Sequence, residues 1–122
     1  MEKAVSLLGV MLYGAFLVGC GGNGCAITAA VTPTHATADH SAAAPANQAQ
    51  FSTESAASPN CPLVADKVGS WSTSDPVNTT ISNQAPTQGL ATCLNATPNP
   101  VRIDNSGNVR GHAMRPATLT CN

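Results

Sequence analysis

ATLTCN, residues 117 to 122, puts Leu119 and Cys121 on one side of an extended chain and Thr118 and Thr120 on the other. Successive side chains of a strand point to opposite faces, so the stretch predicts a half-buried strand with Leu119 in the core. Working back from it, DNSGN at 104 to 108 combines Asn, Asp and Gly as a tight hairpin turn does, after a short strand PVRI at 100 to 103. QAQFSTE, residues 48 to 54, alternates in the same way, with Ala49, Phe51 and Thr53 on one face and Phe51 as a core plug. KVGSWSTSDP, 67 to 76, predicts a strand carrying Val68 and the single tryptophan, Trp71, and stopping at Asp75-Pro76, where proline turns its predecessor away from helix. VNTTIS, 77 to 82, is again β-rich, and residues 55 to 66 read as a loop.

No stretch beyond residue 19 keeps a helical period. Short apolar groups separated by Pro, Gly and Asn predict an all-β chain of seven or eight strands, arranged as a two-sheet antiparallel sandwich. At the front, AITAAVTPTHATA, 26 to 38, suits a first strand whose ladder Pro33 interrupts, as an edge strand allows. The Ala, Ser, Pro and Asn of residues 36 to 49 favour instead a disordered tether running to about Gln48.

The chain has 122 residues with five basic and six acidic side chains, a formal net charge of −1. This excludes the basic stripe that nucleic-acid binding requires, and the length allows one small domain.

The N-terminus carries the localisation signal. An apolar run from Ala4 ends in Leu17-Val18-Gly19-Cys20, which resembles the bacterial lipobox, where a thiol accepts a diacylglycerol. The run is the length of a signal-peptide apolar region and shorter than the roughly 20 residues a spanning helix needs. We therefore expect residues 1–19 to be a lipoprotein signal peptide, Cys20 to be lipidated, residues 20–25 to form a short leash, and the membrane to be a partner through that lipid. The expected location is the bacterial cell envelope, at the outer membrane or cell surface. Oxidising compartments favour disulfides; Cys25, Cys61, Cys93 and Cys121 then permit three complete pairings, which spacing does not resolve, and the alternative is that Cys25, five residues past the anchor, stays free and leaves one of the other three unpaired.

Three motifs in order resemble a bacterial immunoglobulin-like domain of the second group, the intimin and invasin type. They are AITAAVTPTHATA followed by AQFSTE, then WSTSDP at 71 to 76, then IDNSGNVRGHAMRPATLTC at 103 to 121. The resemblance covers most of 26–122 and implies an immunoglobulin-like antiparallel β-sandwich of about seven strands. Asn83 to Pro98 looks like an insertion against the family pattern, and the cysteines are not part of its general signature. It further implies that Trp71 and Leu119 join Phe51 in the core, that Trp71 lies beside a disulfide, and that Cys93 and Cys121, in their similar ATC and LTC contexts, are bonded. Cys61 to Cys93 is the second choice. The function it implies is binding, adhesion or structural support, with carbohydrate or a surface protein as partner. The alternative is a largely disordered lipoprotein spacer without a specific ligand.

Catalysis has little to build on. His35, Asp39 and His40 share one Ala/Thr stretch without the further ligands a metal site needs. His112 reads as a loop residue beside Gly111. Asp104, Asn105 and Asn108 lack the carboxylates of a calcium loop, and a hairpin turn explains them better. Asn78-Thr79-Thr80 and Asn95-Ala96-Thr97 match the glycosylation sequon but read as turn and strand chemistry beside a bacterial lipobox. We expect no enzyme activity, no cofactor and no metal.

Overall fold

A computed structural model of the chain describes residues 26–59, 61 and 69–122. The expected signal segment, Cys20, the glycine leash, Cys25 and Val68 lie outside them.

The chain divides into two compact units, Met1–Ala26 with Ala57–Leu63, and Ile27–Ala56 with Val64–Asn122. In the first, Ser58 N–H donates to the carbonyl of Ala26 at 2.9 Å, and Cys61 N–H donates to that of Ser58 at 3.0 Å. The second holds nearly all the described strands.

The described residues are all-β, in eleven segments: β1 Ile27–Thr32, β2 His35–Ala38, β3 Gln48–Gln50, β4 Ser52–Ala57, β5 Trp71–Thr73, β6 Thr79–Ile81, β7 Leu90–Cys93, β8 Val101–Asn105, β9 Asn108–Val109, β10 His112–Ala113 and β11 Ala117–Cys121. One sheet runs β2-β11-β8-β5, a second β3-β7-β6, and β1 pairs with β4. Since only Phe51 separates β3 from β4, the second sheet and the β1–β4 pair form one layer, β1-β4/β3-β7-β6. Set against the sheet β2-β11-β8-β5, it gives the two layers of a β-sandwich.

The segments outnumber the expected seven for local reasons. Pro33 has no N–H to continue a ladder, and the chain there leaves β4 and, as β2, joins β11 in the opposite layer. The predicted single edge strand is thus two strands serving both layers, and residues 27–38 are not a tether. The β2–β11 pair is parallel, with His35 opposite Thr118 and Ala38 opposite Cys121, so the sandwich is not wholly antiparallel. Phe51 breaks the second strand, where its N–H donates to the carbonyl of Gly89 at 2.8 Å. The expected loop at 55–66 begins later than predicted, because β4 continues to Ala57.

The third source is an additional hairpin, β9–β10. DNSGN is not its turn. β8 runs through Asp104 to Asn105, and the chain reverses at Arg110-Gly111, which have φ of 51° and 83°. Two central residues with positive φ between the pairs Val109–His112 and Asn108–Ala113 make a type I′ connection. His112 accordingly lies in β10 rather than in a loop. The Asn83–Pro98 stretch, read as an insertion, contains β7, the central strand of its sheet.

Between the layers, Val31, Phe51, Ile103, Leu119, Val109, Thr79, Cys93 and Cys121 are fully buried, and Trp71 is 7% exposed. The burial pattern of β11 alternates from Ala117 to Cys121, as its sequence predicts. An aromatic of Trp71's size removes ~150 to 250 Å² from water, which in so small a core is a large share of the hydrophobic stabilisation.

Candidate functional site

Cys93 ends β7 in one layer and Cys121 ends β11 in the other, and they are disulfide-bonded with 5.7 Å between their Cα atoms. Each is 1% exposed, so the bond is a buried tie between the sheets rather than a reactive group. The second-choice pairing of Cys61 with Cys93 does not form. Cys61 is nonetheless disulfide-bonded, with neither Cys93 nor Cys121 as its partner.

The polar residues singled out in the sequence are drawn into separate local contacts. His35 Nδ1 lies 2.7 Å from Thr118 Oγ1, and His40 Nδ1 lies 2.6 Å from the carbonyl of Asn122, which ties β2 and the turn after it to β11. Asp39 accepts from the hydroxyl of Ser41 at 2.7 Å and from its N–H at 3.0 Å, and these bonds hold its carboxyl below the ordinary aspartate range. Asp104 pairs with Arg102 at 2.7 Å. Asn105, only 5% exposed, accepts from the N–H groups of Gly69 at 3.1 Å and Gly107 at 2.8 Å. Asn108 accepts from Gly111 N–H at 3.2 Å. The oxygens of Asp104, Asn105 and Asn108 therefore serve four different partners and share none. Among the described residues no three His, Cys, Asp or Glu side chains gather as a metal site would require.

Of the sequons, Asn78 donates to the carboxylate of Asp75 at 2.8 Å, while the buried Thr79 hydroxyl donates to the Asp75 carbonyl at 2.7 Å. Both residues serve the turn between β5 and β6. Asn95 lies beside it, its N–H donating to the carbonyl of Asn78 at 3.3 Å.

The feature with the shape of a ligand site was not legible in the sequence. A groove of about 330 Å³ opens where β1 and β10 lie alongside each other, lined by Ile27, Thr28, Ala29, Ala30, His112, Ala113 and Arg115. The two segments run parallel but are joined by a single bridge, Ala30 to Arg115. Its two rungs are Arg115 N–H to the Ala29 carbonyl at 2.9 Å and Val31 N–H to the Arg115 carbonyl at 2.8 Å. The next rung, Ala29 N–H to the carbonyl of Ala113, would extend the bridge into a ladder, and the pairing stops short of it. On the other wall, the closing pair of the hairpin is Val109–His112, so Ala113 turns its N–H and carbonyl away from β9 and towards β1. No carboxylate lines the groove, and the exposed Arg115 guanidinium makes no ion pair or hydrogen bond among the described residues.

No family model matches the chain, and no curated protein is significantly similar to it.

Proposed function

We propose that the chain is a lipid-anchored protein of the bacterial cell envelope, exposing one immunoglobulin-like sandwich of the second bacterial group as a binding, adhesive or structural module. The observation that carries the reading is the apolar run ending in Leu17-Val18-Gly19-Cys20, which supplies both export and a lipid acceptor. The buried Cys93–Cys121 bond supports it, since such a tie persists in an oxidising compartment. On this reading, with Cys93 and Cys121 taken by each other and Cys20 by lipid, Cys25 is the thiol left for the bond of Cys61. The near-neutral charge fits contact with carbohydrate or a surface protein better than with nucleic acid.

Intact mass of the protein extracted from native membranes, with and without reduction and alkylation, tests the reading. The expected result is a chain that starts at Cys20, carries a diacylglyceryl group there and gains four alkylated thiols on reduction. A chain that retains residues 1–19, or one with a free thiol at Cys20, would overturn it.

A further inference from the structure

We infer that the groove between β1 and β10 binds the carboxylate end of a short peptide, with Arg115 holding the carboxylate and the open backbone edges holding the adjoining amide. This does not rest on the lipid anchor and applies equally to an unanchored chain. Two independent observations lead to it. One is electrostatic: an arginine without an ion-pair partner stands at the rim of a cavity that no acid lines, with His112 beside it. A guanidinium presents its donors in a planar fork that matches a carboxylate in two bonds.

The second is the interrupted ladder. Ala29 N–H on one wall, with the N–H and carbonyl of Ala113 on the other, are the donors and acceptor of rungs that the two segments do not make with each other. Ala29 lines the groove and its N–H has no backbone partner there, so a ligand that completes the rung gains a hydrogen bond. A peptide unit offers one donor and one acceptor at the spacing of a strand's rungs, which a compact inorganic anion does not. The small side chains of Ala29, Ala30 and Ala113 leave the walls low, and the exposed Thr28 hydroxyl adds a polar contact. At about 330 Å³ the groove holds two or three small residues and no folded partner.

The probes are acetyl-alanyl-alanine, its C-terminal carboxamide and inorganic phosphate, each titrated into isotope-labelled full chain while the amide resonances are followed. The expected result is saturable shifts at the amides of Ala29 and Ala113 with the free acid, with at least about tenfold weaker binding for the carboxamide. Arg115→Gln should produce the same loss for the acid, with Trp71 fluorescence unchanged as the check on folding. Equal binding of acid and carboxamide would overturn the role of Arg115. Phosphate binding as tightly as the acid would overturn the peptide class, and shifts confined to other residues, or none, would overturn the site.

Discussion

The side-chain amide of Asn83 pairs with the backbone of Trp71 as a neighbouring strand would. Its Oδ1 accepts from Trp71 N–H at 2.6 Å and its Nδ2 donates to the Trp71 carbonyl at 3.1 Å. β5 is a three-residue edge strand, and these two bonds satisfy backbone groups that would otherwise face solvent or a second chain. Asn83→Ala is expected to cost about 1 to 3 kcal/mol, the net worth of two hydrogen bonds at about 0.5 to 1.5 kcal/mol each. Urea unfolding followed by the fluorescence of Trp71 measures it directly, and Asn83→Asp, which keeps the acceptor and loses the donor, should fall between.

Removing the tie between the layers should act chiefly on the unfolded chain. Cys93 and Cys121 are 28 residues apart, and closing a loop of that size contributes roughly 3 to 4 kcal/mol on the chain-entropy estimate. The double variant Cys93→Ser with Cys121→Ser is therefore expected to lose about that much, while the bond of Cys61 is retained. The check is denaturant unfolding beside a peptide map of the remaining bridge.

Gly89 and Gly111 have nearly the same positive φ, 81° and 83°, and very different surroundings. A Cβ on Gly89 would collide with the carbonyl oxygen of Phe51 and crowd the ring of Trp71, whereas one on Gly111 would meet nothing within 4 Å. Gly111→Ala should cost the left-handed penalty alone, roughly 1 to 2 kcal/mol. Gly89→Ala should cost distinctly more, because the strand break at Phe51 must shift as well. Thermal unfolding of the two variants side by side separates the terms.

What the sequence made legible follows from what is local. The alternation of Leu119 and Cys121 with two threonines, and of Phe51 within QAQFSTE, reports which face is buried, because a strand's period of two is written in neighbouring residues. Pro33 could be recognised as a ladder breaker, but its consequence, that β1 and β2 join opposite layers, depends on β4 and β11, far away in the chain. DNSGN misled for a related reason. Asn105, near its start, is committed to Gly69, 36 residues earlier, while the reversal falls on Arg110-Gly111, whose arginine gives no turn signal. The β1–β10 groove was illegible because it is made by a pairing that stops after one bridge, and no spacing within either segment records where a partner departs.

The parallel pairing of β2 with β11 has a mechanical consequence. His35 faces Thr118 at one end of the pair and Ala38 faces Cys121 at the other. A force that pulls on the chain ahead of β2 and behind β11 therefore takes hold at opposite ends of the two strands and slides them past each other. All the rungs between them bear the load together, where an antiparallel pair pulled in the same way would unzip rung by rung. Under tension, this short clamp resists by shear, beside the disulfide that passes load from Cys121 to Cys93.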